Sequence, residues 1–470
     1  MSPTAQSRPR AQRRNKPEPT EAPEQPQGSA EAPVRRRFAP SPRSVLWYGL
    51  IYSMVAACYF FYRDRLPDWD EPYHLEFIEA IRNLIAHGQF TSIMALYHGE
   101  KFSGLAMLPG YHIVAAIVSM WFPTYQALRL VNLSFLMILV VVVARIQKQI
   151  FQRDDFLKLV CFAFFPVTFT HALLIYTDYA TLFCVTIAFY CEIKKQHFLS
   201  GLALLAGFFT RQSIVTWLVF LPLLAYCAQE QMQPESWQQT ARAFFSPQGL
   251  KAQLKRYWFH VVLFGGFVVF LIVNHGIAVG DKDAQPTGAF SIGNIFIFCL
   301  FSFIFFLPGA IWNFRQHLRT LLRNDMAIAA VLLAFTAFMF LFPGPESTLH
   351  IYNTWLAHRD TQYFIRNNVV HWVVTNLALR IVAFLFAVIG FLEIHRTLST
   401  KTAAVMTVAT WMSLAPLAVM DVRYAMIPFG LYVILRNELN ENLYKLQALW
   451  LFIISLSWLW GVKMEIFTPF

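Results

Sequence analysis

Hydrophobic and polar positions along this chain fall into long blocks rather than a short alternation. Apolar runs approaching the 20 or so residues that a helix needs to cross hydrocarbon recur from Ser44 almost to the C-terminal end, separated by short polar stretches. The blocks predict helices near 44–62, 125–144, 156–174, 179–193, 198–210, 213–229, 257–278, 290–312, 326–343, 376–394, 403–420, 424–436 and 446–462. The chain therefore reads as an all-α polytopic membrane protein, a bundle of about thirteen spans. Two of the runs, 198–210 and 424–436, are too short for a full crossing and read as half-helices. No internal repeat is evident, which gives an inverted-repeat transporter no support.

One stretch interrupts the pattern. Between Leu66 and His112 the chain carries Asp68, Asp70, Glu71, His74, Glu76 and Glu79 close together, a density of ionisable groups that must lie at a membrane face. Leu75, Ile78, Ile81, Leu84 and Ile85 follow a helical period against Glu76, Glu79 and Arg82, so this part predicts a helix lying flat at the interface. The next apolar run, 105–122, either spans or forms a juxtamembrane or re-entrant helix opened by Leu108-Pro109-Gly110. The second count puts Lys194 and Lys195, Lys251 to Arg256, Arg315 to Arg323, Arg396, Lys401, Arg436 and Lys445 on the same side as the basic N-terminus. Positive loops are retained in the cytosol, so this count makes 63–124 and 344–375 the long lumenal loops.

Composition agrees: 57% of the 470 residues are hydrophobic, 14% are charged, mean hydropathy is +0.45, and 46 are Phe. The net charge of +11 includes nine Lys/Arg against four Glu in the first 43 residues, and the remainder is spread over short loops. That distribution is topogenic, and no nucleic-acid partner follows from it. Residues 1–43, rich in Pro, Ala, Gln, Glu and Arg, read as a disordered cytosolic tail, and 44–470 as one membrane domain. The first apolar segment lies too far from the start for a cleavable signal peptide. All six Cys sit in apolar segments with no metal-ligand spacing and read as packing residues.

The candidates for chemistry lie at helix ends. Asp70 and Glu71 precede the flat helix, where a carboxylate can serve as a general base or can merely cap the helix. Asp178, in Tyr176-Thr177-Asp178, opens a span, and Arg211-Gln212 lies between two apolar runs on the side where a topogenic arginine is not expected. Arg211 offers a fork to a phosphate or snorkels to headgroups. Gly280-Asp281-Lys282-Asp283 reads as a solvated turn. In the second long loop, His350, Asn353, His358, Arg359, Asp360, Arg366 and His371 are interleaved with Tyr352, Trp355, Tyr363 and Trp372, which suits sugars and phosphates or the interfacial belt equally. Asp421 and Arg423 read as a pair at a helix end. On this reading the span centres are nearly free of charge and the polar groups gather on one face.

In this order the pieces resemble a family of GT-C membrane glycosyltransferases, the dolichyl-phosphate-glucose-dependent α-1,2-glucosyltransferases that add the last glucose to the lipid-linked N-glycan precursor. Trp69-Asp70-Glu71-Pro72-Tyr73-His74, followed by Gly88-Gln89-Phe90, is similar to the family's acidic-pair-then-His segment. Leu108-Pro109-Gly110-Tyr111, Tyr176-Thr177-Asp178, Arg211-Gln212-Ser213-Ile214-Val215 and Gly280-Asp281-Lys282 resemble its later motifs, as do Ala357-His358-Arg359 and Arg423-Tyr424 through Pro428. The family's Thr-Thr-Pro-Pro stands here as Ala106-Met107-Leu108-Pro109, and the Asn of its Arg-Gln-Thr-Asn is absent.

The resemblance implies an inverting transfer, at the lumenal face of the endoplasmic reticulum membrane, from a polyprenyl (dolichyl) phosphate sugar to a lipid-linked oligosaccharide. Asp70 would be the base, with Glu71 competing for that role. Arg211 and Arg359 would hold the phosphate, and His74, Asp178 and His358 would position sugar or acceptor. Tyr111, Gln212, Asp281, Lys282 and Arg423 join them as substrate-binding residues through their motifs. No cofactor or metal is required, since arginine is available to the leaving phosphate, although a metal version through Asp70, Glu71 and Asp178 can be written. The competing readings are a bacterial inner-membrane enzyme of envelope glycolipids, a lipid or sugar transporter, and a non-catalytic assembly subunit.

Overall fold

The computed structural model describes residues 42–68, 70–99, 101–102, 105–230, 246–279, 292–341, 348–349, 364–365, 368–417 and 419–466. The tail before residue 42, the 280–283 turn with Asp281 and Lys282, and His358 and Arg359 lie outside the described residues. In chain order the helices are α1 (Pro42–Tyr62), α2 (Glu71–Ala86), α3 (Gly110–Ser119), α4 (Tyr125–Ile150), α5 (Phe156–Ala163), α6 (Pro166–Ala172), α7 (Thr177–Ile193), α8 (His197–Phe208) and α9 (Val215–Glu230). They continue as α10 (Pro247–Arg256), α11 (Trp258–Asn274), α12 (Gly293–Phe305), α13 (Leu307–Trp312), α14 (Phe314–Leu322), α15 (Asp325–Leu341), α16 (Asn368–Thr375), α17 (Leu377–Arg396), α18 (Thr400–Leu414), α19 (Met426–Leu435) and α20 (Glu441–Lys463). Many starts are written in the sequence. Thr124, Asp155, Ser246, Asn376, Ser399 and Asn440 each accept a backbone N–H from the first turn of the helix they precede.

This is an α-helical polytopic membrane protein, and among the described residues fewer helices are long enough to cross alone than the sequence has apolar blocks. Five described helices are long and apolar enough to span alone, and eight spans result if three bent pairs each count once. The bends are 114° between α6 and α7, 79° between α10 and α11, and 99° between α14 and α15. The predicted span 156–174 is thus two short helices, and 290–312 divides into α12 and α13. Both expected half-helices are short, α8 with 12 residues and α19 with 10. The 105–122 run contains only the ten-residue α3, about 15 Å long at 1.5 Å per residue and half of a hydrocarbon core. The all-α expectation has one local exception. Thr348–Leu349, Phe364–Ile365 and Val419–Met420, strands β1 to β3, pair in parallel and attach the second long loop to the residues just before Asp421.

Phenylalanine fills the interior. Phe162, Phe164, Phe165 and Phe169 are fully buried, and Phe165 meets the rings of Phe305, Phe306 and Phe429. Helices α12 and α17 approach closely at Gly390, where a Cβ would fall 2.3 Å from the Cys299 carbonyl oxygen. Charge occurs at both ends of the bundle, not on one face as the sequence reading holds. One end carries the groups described below. At the other, the fully buried Glu393 carboxylate binds Arg436 at 2.7 Å, Arg396 at 3.1 Å and His317 at 3.0 Å, and Glu438 pairs with both arginines. Gly309 leaves room for that carboxylate, since a Cβ there would lie 2.2 Å from Glu393 Oε1.

Candidate active site

Asp70 and Glu71 are adjacent in sequence and live in different surroundings. Helix α2 begins at Glu71 with Pro72 in its first turn, and Asp70 occupies the N-cap position without capping it through its side chain. That side chain turns toward the distant Arg423, whose Nη1 donates to Asp70 Oδ2 at 3.0 Å. Glu71 turns inward. Its carboxylate takes a forked pair of bonds from Arg129, Nη2 to Oε2 at 2.6 Å and Nε to Oε1 at 3.1 Å, with both side chains fully buried. It also accepts the Ile175 N–H at 2.9 Å, while Arg129 Nη1 donates to the Arg65 carbonyl at 2.8 Å. The pair fastens the end of α1, the start of α2, α4 and the 173–176 loop to one another. Asn132, one turn along α4, completes the join by donating to the Leu174 and Tyr176 carbonyls.

The 421–424 segment supplies the opposite wall. Asp421 is anchored by its own N–H to Asn294 Oδ1 at 3.1 Å, and its side chain accepts the Arg423 N–H and faces the Arg423 guanidinium at 3.0 Å. Arg423 therefore lies between Asp70 and Asp421. Its guanidinium also packs on the rings of Tyr176 and Tyr424, at 5.7 and 5.5 Å from their centroids. Arg211 packs on the same Tyr424 ring at 5.3 Å and is ion-paired with Asp178. Two guanidiniums thus meet around one tyrosine, each against a carboxylate. Burial pushes Arg211 down to about 10, with Tyr424, Asp421 and Asp70 opposing the fall, so it remains cationic at neutral pH.

Loop 105–111 braces this wall. The Gly110 N–H donates to the Phe209 carbonyl at 2.7 Å and Gln212 donates to the Ala106 carbonyl at 3.1 Å, which fixes the chain on both sides of Arg211. A Cβ on Gly110 would fall 2.6 Å from that Phe209 oxygen. Gly110→Ala is therefore expected to cost about 1–3 kcal/mol of overpacking and to lower the melting temperature in detergent. An unchanged melting temperature would contradict the close approach.

The remaining candidates separate by surroundings. His74 meets His112 ring to ring, Nδ1 to Nε2 at 2.8 Å, and lies edge-on to Tyr176. Burial, then the His74 neighbour, holds His112 well below the ordinary histidine range, so that ring is neutral. Tyr111 is fully buried against His112 and belongs to the packing beneath the site. Of the predicted residues, Asp70, Asp178, Arg211 and Arg423 come together around Tyr424; Glu71, His74, Tyr111 and Gln212 support them. The arrangement offers a base, two cations and aromatic faces in one place. A metal held jointly by Asp70, Glu71 and Asp178 finds little support, because Arg129 occupies both Glu71 oxygens and Arg211 pairs with Asp178. Sequence reasoning passed over Arg129, whose signal was an arginine and an asparagine one turn apart inside an apolar run, and gave Asp421 no role beyond its neighbour.

The fold defines the class, a polytopic helical membrane protein, and its carboxylates, guanidiniums and aromatic rings around Tyr424 offer an anionic substrate a place at one end of the bundle. The profile of the DIE2/ALG10 family matches residues 102–434, and the chain belongs to that family. It is accordingly a multi-pass membrane glycosyltransferase, a glucosyltransferase of the endoplasmic reticulum in the lipid-linked oligosaccharide pathway. Comparison with curated proteins and with solved structures found no match. The matched region includes Tyr111, Asp178, Arg211, Gln212 and Arg423 and begins after Asp70, Glu71 and His74.

Proposed function

We propose that this protein transfers glucose from dolichyl-phosphate-glucose to a lipid-linked oligosaccharide, forming an α-1,2 linkage on the lumenal face, with Asp70 as general base. The observation that carries the reading is the Asp70–Arg423 pair beside Arg211 and Tyr424. The acceptor hydroxyl loses its proton to Asp70 as its oxygen bonds to the anomeric carbon. The bond from that carbon to the phosphate oxygen breaks, the configuration inverts, and polyprenyl phosphate leaves with one more negative charge. Arg211 and Arg423 are the groups within reach that stabilise that charge, and a forked guanidinium suits a phosphate. Glu71 is assigned to the scaffold, since Arg129 and the Ile175 N–H occupy it.

The pairing of Asp70 with Arg423 sets an order. A carboxylate held by a guanidinium is a poor base, so the donor phosphate binds first, draws Arg423 away from Asp70 and leaves the base free for the acceptor. Lumenal orientation is supported by charge: Lys194 and Lys195, α10 and α14 lie at the end of the bundle away from Asp70, and basic segments stay in the cytosol.

The test is transfer by purified protein from dolichyl-phosphate-glucose to a diglucosylated lipid-linked oligosaccharide, read as the gain of one hexose and its removal by an α-1,2-specific glucosidase. Arg423→Gln is expected to lower turnover by about a hundredfold and to raise the KM for donor more than for acceptor. Turnover with another polyprenyl-phosphate sugar and none with this donor would overturn the glucose assignment. An unaltered Arg423→Gln enzyme would remove that residue from the phosphate site.

A further inference from the structure

Helix α14 has three distinct faces. His317 is buried and binds Glu393 at 3.0 Å, and Asn313, just before the helix, donates to the same carboxylate at 3.2 Å. Phe314, Leu318 and Leu322 form a second stripe, one turn apart from one another, and are 47%, 45% and 63% exposed. Each is followed by an arginine, Arg315, Arg319 and Arg323, so three exposed guanidiniums make a third stripe alongside the apolar one. Among the described residues no carboxylate pairs with any of the three. Exposed Ile311 and Trp312 extend the apolar edge.

The placement of the helix gives these stripes a meaning. α14 turns by 99° into α15, which is apolar along its length, so an α15 running across the hydrocarbon leaves α14 flat on the membrane surface. The surface can be identified from the chain path. α12 carries Asn294, which is bonded to Asp421, in its first turn and runs about 20 Å before α13 and α14 follow, so α14 lies at the end of the bundle opposite Asp70. α10 repeats the pattern: Leu250 and Leu254 are exposed, each is followed by an exposed lysine, and a 79° bend leads into apolar α11. It too lies at the far end, because α11 is joined through His260 to Glu192 near the end of α7, about 20 Å from Asp178.

We propose that the arginine stripe of α14 binds the phosphate groups of anionic phospholipids in the leaflet opposite the active site, with Phe314, Leu318 and Leu322 seated among their acyl chains. Charge complementarity carries the choice of occupant: three guanidiniums with no carboxylate partner among the described residues stand at headgroup level beside an exposed apolar stripe. His317 and Glu393 fix the angle of the helix so that the stripes meet the membrane together. The inference is independent of the proposed reaction.

The test uses the full-length protein in nanodiscs of phosphatidylcholine alone or mixed with phosphatidylserine. Hydrogen exchange over 314–323 and the anionic lipids retained in native mass spectrometry are the readouts. The wild type is expected to retain phosphatidylserine selectively and to protect these amides more in the mixed bilayer. A triple change to Gln at 315, 319 and 323 is expected to weaken retention by roughly a hundredfold, about fivefold for each arginine, and the triple change to Lys to keep most of it. An equal melting temperature in phosphatidylcholine shows that the variants are folded. Equal retention by the Gln variant, or no preference for phosphatidylserine in the wild type, overturns the proposal. Protection by inorganic phosphate alone, as complete as that by the bilayer, would assign the stripe to a soluble anion and overturn it as well.

Discussion

Asp70→Asn is expected to lower glucosyl transfer by about 10²–10⁴-fold while leaving the protein folded, the range by which a positioned general base contributes. The asparagine keeps the shape of the side chain and can still accept a hydrogen bond from Arg423, so the wall formed by Asp421, Tyr176 and Tyr424 persists. What is lost is the place for the acceptor proton. Initial rates at saturating donor and acceptor are the measurement, with melting temperature recorded beside them. Wild-type turnover by Asp70→Asn would end the assignment of the base.

The second large effect falls on stability and involves the neighbouring carboxylate. Arg129→Leu leaves Glu71 as an isolated charge in a site from which water is excluded, and breaking a buried pair in this way costs about 3–5 kcal/mol. Low yield and a strongly reduced melting temperature are expected for Arg129→Leu and for Glu71→Leu. The double variant, which removes both charges, is expected to regain most of the loss and to recover transfer with it. That rescue separates a structural pair from a catalytic one: a double variant that folds like the wild type and is inactive would return Glu71 to the chemistry.

The contrast between Asp70 and Glu71 also shows how far the sequence can be read. Periodicity and composition led to the helical membrane class, and the order of short motifs led to the family. The density of carboxylates at 68–79 drew attention to the right loop. The division of labour within the acidic pair was not legible, because it depends on which way each side chain turns relative to α4 and to the 421–424 segment. Arg129 was hidden by its setting, an arginine inside a run that reads as an ordinary span. Arg423 was visible as the local partner of Asp421 and, through its motif, as a substrate-binding residue, and its contact with Asp70 needed the folded chain. The apolar blocks outnumber the described helices long enough to cross alone for a related reason: such blocks record where hydrocarbon or core is met, and a helix broken by 114° between α6 and α7 meets the same apolar surroundings as a straight one.

The bond between Asp70 and Arg423 joins positions 353 residues apart. A ribosome adding about 5–20 residues per second delivers the first carboxylate to the membrane roughly 20–70 seconds before its guanidinium exists. Throughout that interval Asp70 waits for this partner, while Asp68, Glu71, Glu76 and Glu79 find theirs in Arg65, Arg129, Lys101 and Arg82, all made much earlier. The wall around Tyr424 is thus completed only when residue 423 has been made, and the bond to Asp70 doubles as a mark that every element between the two is in place.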